Sequence, residues 1–281
     1  MLFILNIIKK FPLRGRAFLI RILSSFFRNS LKKFPFYFNN YNFPFFLNLS
    51  DDTAINIFLN NGLSHEKGLL IVLNKISNKN KVFWDIGSNY GFYPHHILNN
   101  NLFAETICFE PNPNNFKLLS LTLSGHNNFK LYNIGIGSEK SFLNFYYSRN
   151  RSDLGSFSPN ANFKNTSIKK MEINSIDNVL KYCSNPNIIK IDVEGFENEV
   201  LKGFDSLNKI YPVIIIEWID NLQPITFEEF LNHFDNTWTY FFIGNDGYLH
   251  KTKSNICSSD LLLVSNENDL YEKIMSDLII K

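Results

Sequence analysis

Three acidic residues stand where apolar runs give way to turns: Asp192 and Glu194 in IIKIDVEG, and Glu217 in VIIIEW. Carboxylates so placed can orient a hydroxyl group, take its proton or bind a hard cation. A second pattern lies upstream. The run VFWDIGSNYG ends an apolar stretch in Asp85 and continues with Gly87, Ser88, Asn89 and Gly91. Glycines there permit positive φ and let a ligand come close to the main chain. The G-x-x-x-G spacing is neither the G-x-G-x-x-G of dinucleotide sites nor the G-x-x-x-x-G-K-[ST] of phosphate loops, so both pyrophosphate readings are weakened. About 20 residues beyond the loop, Glu110 closes the next apolar stretch, where a carboxylate can accept hydrogen bonds from ribose hydroxyls. Pro111 and Pro113 stop that stretch and start the next helix. Of the six histidines, His95 and His96 stand nearest after the loop. Either could act as a base near neutral pH, with packing on a helix as the plainer role.

These residues need a frame that brings strand ends together. Short apolar runs at 82–86, 105–110, 129–134, 188–192 and 213–218 predict strands, and 91–100, 113–124, 195–202 and 226–234 predict helices between them. Such alternation is the pattern of a parallel sheet covered on both faces. Residues 141–147 and 168–173 read as a hairpin at the sheet margin, and 238–264, with an Asn-Asp-Gly turn, as an antiparallel pair closing the sheet. Upstream, Ser50 or Asp51 could cap a helix over 52–60, and Ser64 one over 65–77. The stretch 148–167, carrying Arg149, Arg151 and Gly155, reads as a polar binding loop or lid.

The stretches FWDIGSNYGFY, FEPNPNNFKLL, NIGIGSEKSFLNFY, IIKIDVEGFENEVLKG and VIIIEW occur in this order over about 82–218. In them the chain resembles the FkbM family of methyltransferases. The resemblance implies a class I methyltransferase fold: a Rossmann-like, mostly parallel, twisted seven-stranded α/β sheet with helices on both faces. It also implies S-adenosylmethionine as methyl donor and, usually, O-methylation of a sugar, glycan or related metabolite. On that basis Asp85, Gly87, Ser88, Asn89 and Gly91 would surround the methionine end of the donor. Glu110 would hold the ribose, with Pro111 also among the cofactor-binding residues, Asn133 and Ile134 would lie near the adenine, and Asp192 would sit beside the donor. Asp192 and Glu194 are the catalytic candidates, for orienting the acceptor and for base work. With Glu217 they could offer oxygens to Mg²⁺, but the resemblance does not imply a metal and none is expected. Two alternatives remain at this level: a nicotinamide-dependent oxidoreductase, and an inactive, membrane-associated binding protein on the same fold.

Charge is unevenly spread. The net is +2, yet no acidic residue precedes Asp51, while Lys9, Lys10, Arg14, Arg16, Arg21, Arg28, Lys32 and Lys33 do. The rest is net acidic, which argues against a nucleic-acid partner. Residues 1–50 read as a basic, aromatic, helical extension, and 51–281 as the enzyme domain with its core at 82–218. Within the extension, 16–33 has the spacing of an amphipathic basic helix, and 1–33 could touch an anionic membrane or pack on the body. No run of 18 apolar residues exists, and the N-terminus lacks the order of a secretion signal. Cys108, Cys183 and Cys257 show no CxxC spacing, so neither a disulfide framework nor a zinc site is expected. The expected location is cytoplasmic, with contact at the inner face of the membrane left open.

Overall fold

The strand VIIIEWI has apolar residues on both of its faces, so it can be stable only between two covering layers. It lies in that position in the computed structural model, which describes residues 2–10, 15–27, 31–38, 41–62, 67–148, 151–152, 154–158, 166–251 and 258–279. The main sheet uses strands β3 (Asn78–Ile86), β4 (Phe103–Phe109), β5 (Phe129–Tyr132), β10 (Ile188–Ile191), β11 (Val213–Ile219), β12 (Trp238–Ile243), β13 (Leu249–His250) and β14 (Ser258–Ser265). Their order across the sheet is β13-β12-β14-β11-β10-β3-β4-β5. The five strands from β11 to β5 run parallel, and β14 is antiparallel to both β11 and β12. This is the class I methyltransferase sheet with one addition. The expected seven strands are joined at the edge by the two-residue β13.

Register explains the two cores. Trp84, Ile86, Ile189, Ile191, Ile214 and Ile216 point to one face, and Phe83, Ile188, Val213 and Ile215 to the other. The strand period of two carries three polar residues to the second face: Asp85, Lys190 and Glu217. Lys190 pairs in register with Asp85 on one side and Ile215 on the other, so the three occupy adjacent strands at the same end.

Helices α1 (Leu2–Lys10), α2 (Arg16–Phe26), α3 (Asp52–Asn60) and α4 (Lys67–Ile76) precede β3. Two short strands, β1 (Phe34–Phe36) and β2 (Phe45–Leu47), pair antiparallel between α2 and α3. Asp51 is the cap: its Oδ1 accepts from the Ala54 N–H at 3.0 Å. The expected Ser64 cap, His65 and Cys257 lie outside the described residues. Leu5, Ile20, Phe45, Ile55 and Phe58 share a core with Tyr90 and Leu118, so the extension is packed on the domain. That packing absorbs the histidines. His95 is fully buried with Nε2 3.1 Å from the Phe43 carbonyl oxygen, and His96 pairs with the Tyr41 hydroxyl. Burial lowers their pKa values to about 3 and about 4.

Helices α5 (Phe92–Asn99) and α6 (Pro113–Leu123) match the expected spans closely. The helix expected at 195–202 starts later, as Glu197–Lys202, because Glu194 and Gly195 have φ of 53° and 90° and cannot be helical. The helix expected over 226–234 is Phe227–Leu231, opened by a capping box of Thr226 and Glu229. The hairpin segments β7 (Ser141–Ser148) and β9 (Thr166–Asn174) do pair antiparallel, but in a separate sheet with β6 (Gly135–Ile136) and β8 (Gly155–Ser156), ordered β6-β9-β7-β8. Three short helices, Ile176–Val179, Leu207–Ile210 and Tyr271–Asp277, carry no strong periodic signal and are not evident from the sequence.

Candidate functional site

The topological switch point of the sheet lies between β3 and β10, where chain crossovers leave in opposite directions and ligands bind outside the strand ends. The loop after β3 is built for close approach. The N–H groups of Gly87 and Ser88 both donate to the Phe109 carbonyl, and Asp192 N–H donates to the Ile86 carbonyl, drawing three strand ends together. Gly87 has φ of 88°, and a Cβ there would stand 1.8 Å from the Asp192 carbonyl oxygen. No side chain fits. Gly91 opens α5 at φ 86°, where a Cβ would meet Leu119 at 2.5 Å. It shapes the turn and does not line the crevice.

Glu110 holds the loop from the next strand. Its Oε2 accepts from the Asn89 N–H at 2.7 Å, and its Oε1 accepts from the Asn112 N–H at 2.7 Å. Burial nevertheless pushes its pKa up to about 8, against the pull of those two bonds. Asn133 braces the same corner, donating through Nδ2 to the carbonyls of Glu110 and Pro111 at 2.7 and 3.1 Å. A crevice of about 630 Å³ opens here, lined by Gly87, Asn89, Glu110, Pro111, Ile134, Asp192 and Glu194 among others. Asp85 lines neither this crevice nor the one adjoining it: it is buried on the sheet face it shares with Lys190, with Oδ1 lacking a hydrogen-bond partner. Burial raises its pKa to about 6, Lys190 opposing and Asp192 adding to the rise. The Ser88 hydroxyl donates to the Asp85 carbonyl, so it serves the turn.

A second crevice of about 1350 Å³ adjoins the first and shares Gly87, Asn89, Asp192 and Glu194 with it. Its far wall comes from the N-terminal helices, through Ala17 and Arg21 of α2 and Asp52, Thr53 and Asn56 of α3. Arg21 pairs with Asp52 at 2.7 Å. Arg151 from the polar segment also faces this crevice, whereas Arg149 lies outside the described residues. At the shared boundary one carboxylate oxygen from each of Asp192, Glu194 and Glu217 lies within 4.8 Å of the other two. Lys190 sits among them, its Nζ 2.8 Å from Asp192 Oδ2 and 4.8 Å from the Tyr93 ring centre. Crowding by the Asp192 charge, then burial, raises the Glu217 pKa to about 10. The two carboxyls titrate as a pair, so ionisation of both together is disfavoured.

One residue that holds the site and one long-range contact go unnoticed in the sequence. Glu197 is buried; its Oε1 accepts from the N–H groups of Val193 and Gly195 at 3.2 Å, and its Oε2 accepts from Gln223 Nε2 at 2.5 Å. It locks the turn that presents Asp192 and Glu194. Asp51, besides capping α3, accepts from the Ser152 N–H at 2.6 Å and so ties the polar segment to the extension. Nothing in the sequence signals the first, because an acid in the first turn of a helix ordinarily faces water. No local pattern signals the second, because its partner is about a hundred residues away.

The sequence from 85 to 247 matches the model of the methyltransferase FkbM domain. A curated relative, the hexuronic acid methyltransferase AglP of Haloferax volcanii, is 29% identical over 58% of this chain and 66% of its own length. The match thus spans just under two thirds of that relative. Among solved structures, methyltransferase FkbM of Methylobacillus flagellatus KT aligns at 14% identity and a TM-score of 0.47, covering 74% of this chain and 52% of that one. M. jannaschii TYW2 in complex with AdoMet aligns at 10% identity and 0.44, covering 84% and 86%. The family match covers more than half of the chain and includes the glycine turn, Glu110 and the Asp192 turn together, so this protein belongs to the FkbM methyltransferase family.

Proposed function

We propose that the chain is an S-adenosylmethionine-dependent O-methyltransferase acting on a hydroxyl of a sugar or glycan. The observation that carries this is the common wall: two crevices meet at Gly87, Asn89, Asp192 and Glu194. The smaller suits the donor. Gly87 gives a bare backbone surface, and Glu110 has further lone pairs for ribose hydroxyls. When bound, the donor supplies an electrophilic methyl carbon on a sulfonium. The larger crevice suits a polar acceptor, since amide, hydroxyl, guanidinium and carboxylate groups line it. The name of the Haloferax relative favours a sugar. The nicotinamide alternative falls with the family assignment.

The chain's residues then have distinct tasks. Lys190 holds Asp192 so that its carboxylate orients the acceptor hydroxyl toward the donor crevice. Glu194 is placed to take the hydroxyl proton, and a bound donor would supply the methyl carbon to that oxygen with its sulfur as leaving group. Positioning of this kind can supply much of the rate. Glu217 lines the same crevice and offers a further carboxyl group to the acceptor.

The test is methyl-labelled donor offered with nucleotide sugars and cell-surface glycans. Label retained after mild alkali is expected, as for an ether. Alkali-labile label would point to carboxyl methylation and overturn the hydroxyl assignment. No measurable donor binding by folded protein would overturn the reading altogether.

A further inference from the structure

Helix α2 has two faces with different work. Ile20 and Ser24 are buried against the body, and Ala17 and Arg21 wall the larger crevice. The opposite side is apolar and open: Phe18 is 63% exposed and Phe26 79%, with Leu19 and Ile22 beside them. At 3.6 residues per turn these four fall within about 100° of arc. Helix α1 repeats the arrangement, burying Leu5 and Ile8 and exposing Ile4 and Ile7. It is held in place, with Lys9 pairing to Asn61 and lying over the rings of Phe36 and Phe58. Large exposed aromatics on a fixed helix mark an interaction surface.

Charge identifies what covers it. The first 50 residues contain eight basic side chains and no acidic one. Lys10, Lys32 and Lys33 are exposed. A second copy meeting the same face would set basic against basic. No helix among the described residues is long and apolar enough to cross a membrane. We propose that α1 and α2 dock the protein on the surface of an anionic phospholipid bilayer, their exposed apolar side chains entering the headgroup boundary and the exposed lysines of the extension adding attraction to lipid phosphates. The proposal stands apart from methyl transfer, since neither its observations nor its readout involve the donor.

The experiment is co-sedimentation of the full chain with vesicles of phosphatidylcholine alone or with phosphatidylglycerol added, at low and high salt. Pelleting is expected only with phosphatidylglycerol, weaker at high salt, and reduced about tenfold or more when Phe18→Ser, Ile22→Ser and Phe26→Ser are combined. Circular dichroism and thermal unfolding verify that this variant is folded. If it is not, Lys10→Glu with Lys33→Glu leaves the apolar face intact and should still weaken binding to phosphatidylglycerol. Absence of pelleting, equal pelleting on neutral vesicles, or unchanged binding by the folded variants would overturn the proposal. So would a dimer in sedimentation velocity that the serine variant abolishes.

Discussion

Glu110 is expected to govern donor affinity twice over. Replacing it with Ala should weaken S-adenosylmethionine binding about tenfold or more, some 1.4 kcal/mol, by calorimetry. Its pKa near 8 adds a pH signature. Ribose hydroxyls donate best to the ionised carboxylate, so affinity should fall as pH drops below about 8. The stability of the ligand-free chain should move the other way. The unfolded carboxyl ionises near its ordinary value, so stability declines as pH rises from there through about 8. At the chemical end, Asp192→Asn and Glu194→Gln should each lower kcat by about 10²- to 10⁴-fold in single-turnover assays while leaving donor affinity within a few-fold. A chelator should leave the rate unchanged, because Lys190 already supplies positive charge to the carboxylate cluster. Loss of rate restored by Mg²⁺ would show instead that the three acids hold a cation. Glu110 and Asp192 are legible in sequence because each sits at the end of an apolar strand beside a turn. Glu197 is not: an acid in a helix's first turn ordinarily faces water, and only the reversal at Gly195 turns this one inward.

The turns between elements are where small changes should cost most. Gly87→Ala puts a methyl group into the Asp192 carbonyl and must part β3 from β10 at the switch point. Donor binding should be lost even if the protein still folds. Glu197→Ala should destabilise the chain by about 1–3 kcal/mol in urea melts, since two backbone N–H groups lose their acceptor, and Glu197→Gln by less. The strands of the parallel half are legible because they are continuous apolar runs such as IIKI and VIII. Pairing is less so. The segment 141–147 reads as sheet, but nothing local says that β7 and β9 join β6 and β8 away from the main sheet. Short helices such as Leu207–Ile210 are set by tertiary packing, and a single turn leaves too little periodicity to detect.

At the scale of the molecule, the extension and the family core act as one body. Asp51 joins them by capping α3 and accepting from Ser152. Asp51→Ala should lower stability by about 1–3 kcal/mol, from the lost cap and an orphaned N–H, and should raise the acceptor KM more than the donor KM. Basic bias is visible in the sequence, but the wall that α2 and α3 give the larger crevice is not, because that contact spans the first 60 residues and strand ends beyond 190. The sheet's order also reaches into biosynthesis. Strand β14, near the end of the sequence, fits between β11 and β12. During translation the apolar edge of β11 therefore waits, unpaired, for residues 258–265 to leave the ribosome. A chain stalled or cut short before that point presents an open, sticky edge. Such fragments should bind chaperones or aggregate, whereas emergence of β14 closes the sheet.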